Sequence, residues 1–92
     1  MDIDPYLSSI GKNRCRTEIV ATIISLAKEG QSETGILEKA HLNIRQLERY
    51  LEELTRLDLI EVKRVDGKKI CLATRAGKNF LEQYSTLMRF LE

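Results

Sequence analysis

The spacing of apolar residues changes at Asp58, and this change limits what the chain can fold into. Before Asp58 the apolar residues recur every three or four positions, as they do in amphipathic helices. After it, apolar and other residues alternate over residues 60–63 and again over residues 69–72, with Asp66-Gly67 between the two runs. This arrangement is typical of a β-hairpin. Because 92 residues form a single domain, the helices and the hairpin are expected to share one core.

Two helices are expected in the first part of the chain. The first covers residues 14–29, with Asn13 as its N-cap and Gly30 as its stop. The second covers residues 32–40 and is capped by Ser32. Both carry apolar residues at helical spacing, so each is expected to bury one side.

A third helix is expected over residues 43–57, directly after a turn of three residues. Asn43 followed by Gln46 predicts a capping box at its start. Its apolar residues form one broad arc that is expected to face the core, namely Ile44, Leu47, Tyr50, Leu51, Leu54 and Leu57. The opposite side is charged and carries Arg45, Arg49, Glu52 and Arg56.

The register of the hairpin follows from where its apolar residues can meet. A two-residue turn would place apolar residues of one strand opposite charged residues of the other. A three-residue loop over residues 65–67, with its glycine in the left-handed region, instead opposes Val62 with Ile70 and Ile60 with Leu72. We therefore expect the three-residue loop.

This register predicts where the hairpin cations lie. Arg64 and Lys68 would oppose each other at the tip, with Lys63 and Lys69 beside them on the outer face, and Cys71 would point away from the apolar side. Residues 59–75 carry five basic residues against two acidic ones, whereas the whole chain has a net charge of +1. The basic excess of the chain is therefore concentrated at the hairpin.

A last helix is expected over residues 75–91, with Thr74 as its cap. Its apolar stripe follows a four-three-four spacing and consists of Phe80, Tyr84, Leu87 and Leu91, flanked by Leu81 and Met88. A domain this small can cover the beginning of the stripe but has little left to cover its end. We therefore expect a homodimer through Phe80, Tyr84, Leu87, Met88 and Leu91. The alternative is a monomer in which this helix folds back on the first one.

These elements predict a mainly α fold with a small β-hairpin. Residues 1–11 are expected to form a flexible arm, because Pro5 and Gly11 interrupt any helical period. Residues 12–74 would form the compact domain, and residues 75–92 the dimerisation helix.

Three helices, the last two joined by a tight turn, followed by a basic hairpin make the layout of a winged helix-turn-helix. In that geometry the third helix enters the major groove of DNA with its N-terminal residues nearest the bases. Arg45, Gln46 and Arg49 suit base recognition, since Arg pairs with guanine and Gln with adenine. Asn43 would lie near a phosphate. The hairpin cations expected on the DNA backbone are Lys63, Arg64, Lys68 and Lys69.

The stretch NIRQLERYLEELTRLDLIE, the basic hairpin and the segment ATRAGKNFLEQY resemble the small archaeal winged-helix family of DNA-binding regulators, and are similar to the related crenarchaeal chromatin proteins. The matching positions are Leu42, Asn43, Gln46-Leu47, Tyr50-Leu51, Leu59-Ile60 and residues 73–77. The resemblance covers residues 12–92 and implies DNA binding by dimers paired through the last helix. Asp58 replaces a common Gly, and Asn43-Ile44 replaces a common Ser-Tyr, so no base preference is carried over.

The function expected from these observations is sequence-specific or semi-specific binding of double-stranded DNA by a dimeric transcriptional regulator. A winged helix can instead serve as a protein-interaction module, and the near-neutral charge and the acidic Glu52 and Glu53 favour that alternative. The arginines of the third helix can also be a solvated face, and the hairpin cations can protect an edge strand from aggregation.

Enzymatic chemistry is not expected. The sequence has no Gly-rich phosphate loop, His41 is its one histidine, and Cys15 and Cys71 lack metal-ligand spacing. No cofactor, metal or small-molecule ligand is therefore expected, and both cysteines are expected to be reduced thiols. No apolar run is long enough to span a bilayer and the N-terminus does not resemble a signal peptide, so a cytoplasmic location is expected.

Overall fold

The structure, a computed structural model, describes residues 15–91. The expected N-terminal arm and the expected cap at Asn13 lie outside these residues. The helices are α1 (Arg16–Leu26), α2 (Glu33–Ala40), α3 (Ile44–Arg56) and α4 (Arg75–Leu91), and the strands are β1 (Gln31–Ser32), β2 (Ile60–Val65) and β3 (Lys68–Ala73). The predicted fold class, a mainly α winged helix-turn-helix followed by a C-terminal helix, is confirmed.

Three helices begin where a side chain caps them, as expected. Ser32 Oγ accepts the backbone N–H three residues further on at 3.1 Å, and Thr74 Oγ1 does the same at 3.0 Å. At the start of α3 both bonds of the capping box form. Gln46 N donates to Asn43 Oδ1 at 2.8 Å, and Asn43 N donates to Gln46 Oε1 at 3.0 Å. These starts depend only on neighbouring residues, which is why the sequence predicts them.

Helix α1 is shorter than expected. It begins at Arg16, with Cys15 as its cap, and ends at Leu26 rather than near residue 29. The chain then turns through Gly30, which has a φ of +95°, and enters β1. The early end of α1 follows from the sheet, because residues 31 and 32 must lie beside β3.

The sheet has three antiparallel strands in the order β1-β3-β2. Strand β1 pairs Gln31 with Cys71 and Ser32 with Ile70. The sequence analysis predicted only the hairpin, because a two-residue strand is too short to show an alternating pattern. Because β3 has a partner strand on each side, it is the central strand of the sheet.

The predicted hairpin register is wrong. Asp66 and Gly67 form a two-residue turn with φ values of +52° and +78°, as in the type I′ turns that connect tight hairpins. Strand β2 pairs Val62 with Cys71 and Ile60 with Ala73. As a result Arg64 opposes Lys69, and Val65 rather than Arg64 opposes Lys68 at the tip.

The register differs because both faces of β3 are covered. Cys71 and Ala73 point into the core on one face. On the other face Ile70 and Leu72 are half-buried beside Gly30, and a Cβ added at Gly30 would lie within 3.6 Å of both side chains. The predicted register assumed that all the apolar residues of the hairpin share one face.

Cys71 is fully buried, contrary to the prediction that it points away from the apolar side. Burial, together with the nearby Glu33 carboxylate, raises the pKa of the Cys71 thiol to about 11. The thiol is therefore protonated at neutral pH, and its side chain serves as part of the core.

The core draws on every layer of the fold. Its largest fully buried side chains are Ile23, Ile24, Ile36, Leu47, Ile60 and Cys71. Helix α4 joins it through Phe80 and Leu81, which pack against these residues. Gly77 brings α4 close to the end of α3, since a Cβ at this position would collide with the Leu59 carbonyl oxygen. The second half of α4 extends past this contact. The described part of the chain measures 50 × 26 × 21 Å along its principal axes.

In the part of the chain that the structure describes, each helix is too short or too polar to cross a membrane.

Candidate nucleic-acid interface

Helix α3 presents a charged side to solvent. Leu47, Leu51 and Leu54 are buried against the core. The opposite side carries Arg45, Arg49, Glu52 and Arg56, all exposed, as the helical period predicted. The apolar arc is narrower than predicted, because Ile44 and Leu57 at the two ends of the helix are 61% and 60% exposed.

The capping box determines what Asn43 and Gln46 can offer a ligand. The carbonyl oxygen of each side chain accepts a backbone N–H of the box. Each amide NH₂ group can still donate a hydrogen bond. A bidentate contact between Gln46 and adenine uses the carbonyl oxygen as well, which would then accept a second hydrogen bond through its other lone pair. With the box closed, Gln46 can donate to acceptors such as guanine O6 or a phosphate oxygen.

The wing is the hairpin formed by β2 and β3. Its four cations predicted to contact the DNA backbone are all exposed, and two of them have acidic partners. Lys63 Nζ lies 3.7 Å from Glu61 Oε1, and Lys69 Nζ lies 3.8 Å from Glu33 Oε2. The Lys63–Glu61 pair is exposed to solvent, whereas Glu33 of the other pair is half-buried. An exposed pair contributes little stability and can be exchanged for a contact with phosphate.

A cleft of about 750 Å³ lies between α3 and the wing. Its charged lining consists of Arg45, Arg49, Arg56 and Lys69 together with Glu33, Glu48 and Glu52. Three residues predicted to contact DNA, namely Arg45, Arg49 and Lys69, therefore meet at one cleft although two different elements supply them. The remaining predicted residues, Asn43, Gln46, Lys63, Arg64 and Lys68, lie outside its lining.

Acidic residues partly balance the cations of this cleft, and the sequence analysis had named Glu52 of α3 but not Glu33 of α2. Arg56 forms an ion pair with Glu53 one turn earlier on α3. Glu33 comes from α2 and reaches the wing only because β1 places it beside β3. The sequence analysis did not predict that Glu33 belongs to the site, because no pattern near Glu33 indicates that it lies beside Lys69.

A second cleft, of about 720 Å³, lies on the other side of α3. Helices α1, α3 and α4 line it with apolar side chains that include Val20, Tyr50, Leu57 and Phe80. Gln46 and Arg49 also line it. The exposure of Leu57 is explained by its position on this cleft. The periodicity of α3 predicted Leu57 as a core residue instead.

Helix α4 uses its predicted stripe in two ways. Phe80 and Tyr84 are half-buried and stack on each other with ring centroids 6.2 Å apart. Helix α4 packs against α1. Burial and the Glu18 carboxylate of α1 raise the pKa of the Tyr84 hydroxyl. Further along, Leu87 and Leu91 are 53% and 64% exposed.

Phe90, which the sequence analysis did not select, is 83% exposed and is the most exposed large apolar residue described. Together with the half-buried Met88 it extends the exposed end of the stripe. We call Leu87, Met88, Phe90 and Leu91 the C-terminal patch. Helix α4 thus packs on α1, as the monomeric alternative expects, whereas Leu87, Phe90 and Leu91 of its second half are exposed. The dimer stays a prediction.

No group of three potential metal ligands forms among residues 15–91. His41 lies at the C-cap of α2 with a φ of +56°, in the left-handed region where that helix ends. His41 therefore belongs to the turn between α2 and α3.

The sequence matches a family model described as winged helix-turn-helix over residues 13–92. Among curated proteins, none matches it. The fold is similar to that of Sso10a-2, a DNA-binding protein from Sulfolobus solfataricus, with a TM-score of 0.76 and 21% identity over 84% of this chain and 81% of that one.

Two further solved structures have the same fold. The reduced form of MarR from E. coli has a TM-score of 0.68 and 19% identity, over 90% of this chain and 62% of that one. A mutant of MepR from S. aureus, bound to an oligodeoxyribonucleotide, has a TM-score of 0.71 and 14% identity, over 96% of this chain and 66% of that one. This chain therefore spans less than two thirds of the length of either protein, and the likeness concerns the fold.

Proposed function

Because this chain belongs to the winged helix-turn-helix family, we propose that it binds double-stranded DNA as a transcriptional regulator and acts by binding alone. The observation that carries the proposal is the cleft at which Arg45 and Arg49 of α3 meet Lys69 of the wing. A helix with exposed arginines beside a basic hairpin matches the two kinds of contact that duplex DNA requires, one to bases and one to phosphates.

In this proposal α3 enters the major groove. Arg45 and Arg49 can each pair with the O6 and N7 acceptors of a guanine. The amide NH₂ groups of Asn43 and Gln46 can donate to phosphate or base acceptors near the start of the helix. These contacts would make binding sequence-specific or semi-specific.

The wing would hold the DNA backbone. Lys63, Arg64, Lys68 and Lys69 are exposed on β2 and β3 and can neutralise phosphates without reading sequence. Lys63 and Lys69 would exchange their partners Glu61 and Glu33 for phosphate oxygens. The solved relatives support this function, since one is described as a DNA-binding protein and another was solved with an oligodeoxyribonucleotide.

We also propose that the chain forms a homodimer through α4. The C-terminal patch supports this proposal, since Leu87, Phe90 and Leu91 are more than half exposed. A two-fold pairing would let the patch of one chain cover the same patch of its partner. The two copies of α3 would then contact two half-sites on one duplex.

The test is a salt titration of binding between the full chain and a pool of random-sequence duplexes, followed by fluorescence anisotropy. Affinity should fall steeply as salt rises, because each neutralised phosphate releases counterions. Replacing both Lys68 and Lys69 by Ala should weaken binding to all duplexes alike and reduce the salt slope by about 1–2. Arg49→Ala should instead cost about 1–3 kcal/mol at a selected preferred duplex and reduce its advantage over the pool.

The second candidate function is a protein-interaction module. Helix α3 favours it, because its three arginines are matched by Glu48, Glu52 and Glu53. This function predicts that the wild-type chain binds no duplex in a salt-dependent way even at low ionic strength. That result would contradict DNA binding.

A further inference from the structure

Ile44 is a large apolar side chain at an unexpected place. It is the first residue of α3, between Asn43 and Arg45, and 61% of its surface is exposed. In the described part of the chain, the core and the apolar residues packed against it do not include Ile44. Ile44 also lies outside the lining of both clefts beside α3. The fold itself therefore makes little use of this side chain.

The backbone around Ile44 is held by the hydrogen bonds of the helix cap. The capping box on either side of it holds the first turn of α3 with hydrogen bonds of 2.8 and 3.0 Å. A β-branched side chain in a helix has one strongly preferred rotamer. Because Cα–Cβ bonds in a helix tilt toward its N-terminus, the side chain leans toward the end of α3 that would approach the bases. Ile44 thus presents a fixed apolar surface there.

Among the groups that DNA displays in the major groove, the 5-methyl group of thymine is the apolar one. The other groups on the base edges are hydrogen-bond donors and acceptors, which an isoleucine cannot satisfy. We infer that Ile44 contacts the 5-methyl group of a thymine and makes this chain prefer sites that contain one. The inference rests on the proposed function, since it requires α3 to lie in the major groove.

The geometry also limits where this thymine lies. Ile44 and Arg45 are adjacent on the first turn of the helix, so the two bases they contact are within about two base pairs of each other, at 3.4 Å per step. The preferred site should therefore contain a thymine near the guanine read by Arg45.

The test removes a single methyl group from the DNA. A preferred duplex is first selected from a random-sequence pool with the full wild-type chain. Each thymine of that duplex is then replaced in turn by uracil, which differs only by the 5-methyl group. For the wild-type chain, at least one replacement should weaken binding about 3- to 5-fold, as expected for the loss of one buried methyl group.

The same duplexes are measured with two variants. Ile44→Ala should bind the thymine and uracil duplexes with equal affinity at that position. Leu57→Ala is the matched control, because Leu57 is 60% exposed at the opposite end of α3. It should keep the full sensitivity to uracil. Circular dichroism and thermal unfolding are used to check that both variants remain folded.

The outcomes separate this inference from the proposed function. If the wild-type chain binds duplexes with the expected salt dependence but no position responds to uracil, the inference is wrong and DNA binding stands. Equal uracil sensitivity in Ile44→Ala and the wild type would also overturn it. If the wild-type chain shows no salt-dependent duplex binding, the proposed function fails and the inference fails with it.

Discussion

At the scale of single residues, Gly77 lets α4 approach the segment that follows α3 closely. It lies in the first turn of α4, and a side chain there would collide with the backbone of Leu59 rather than with a movable side-chain end. The same junction is held by Thr74, whose Oγ1 donates to the Asp58 carbonyl oxygen at 2.6 Å and whose N donates to the Leu59 carbonyl oxygen at 3.1 Å. The start of α4 is therefore fixed to the end of α3.

Gly77→Ala should destabilise the protein by about 1–3 kcal/mol despite the better helix propensity of alanine, because α4 must move away from Leu59. Urea unfolding measures the change. Gly35→Ala is the control, since a Cβ at Gly35 meets the Gln31 amide, which is the end of a flexible side chain. A Gly77→Ala variant as stable as the Gly35→Ala variant would contradict this account of the junction.

At the scale of elements, the end of α3 is determined by a residue in the left-handed region. Asp58 has a φ of +61° directly after the C-cap Leu57. Its N donates to the Thr55 carbonyl oxygen at 3.0 Å, and Leu59 N donates to the Leu54 carbonyl oxygen at 2.8 Å. These are the two hydrogen bonds of a Schellman motif, in which the left-handed residue is usually glycine.

Asp58→Gly should therefore stabilise the protein by about 0.5–1 kcal/mol. The left-handed conformation costs a residue with a Cβ more than it costs glycine, and the greater freedom of glycine in the unfolded chain offsets part of the gain. The midpoint of urea unfolding should rise for Asp58→Gly. It should not rise for Asp58→Ala, which keeps a Cβ at this position. A lower midpoint for Asp58→Gly would mean that the aspartate carboxylate contributes more than the backbone strain.

At the scale of the whole molecule, α4 is less buried in its second half than in its first. Its 17 residues span about 26 Å at 1.5 Å per residue, and the first half packs against α1 and the core. The C-terminal patch lies on the second half. Exposed apolar surface of this kind marks a contact with another molecule more often than it marks free surface.

Leu87→Glu combined with Leu91→Glu should convert a wild-type dimer into a monomer, as measured by sedimentation. Duplex affinity should fall as well, because a monomer contacts only one half-site. Ser85→Glu combined with Arg89→Gln is the matched control, since it changes the net charge by the same two units at exposed positions on the other side of α4. A wild-type chain that sediments as a monomer at about 30 μM, far above the nanomolar Kd range of stable complexes, would contradict the dimer.

The sequence by itself determined the features that depend on residues close together in the chain. The caps at Ser32, Asn43 and Thr74 are local hydrogen bonds between a side chain and a backbone group up to three residues away. The period of α3 likewise predicted which face carries Arg45 and Arg49, because helical geometry is the same wherever the helix lies.

Only the tertiary structure decided the hairpin register and the charge partners in the cleft. Alternation along β3 shows which residues share a face, but it does not show whether one face or both are covered. The turn at Gly30 covers Ile70 and Leu72, and this leaves Cys71 for the core. The same turn brings Glu33 beside Lys69, 36 residues further along the chain. Such contacts between distant residues have no local pattern, because they arise only when separate elements pack together.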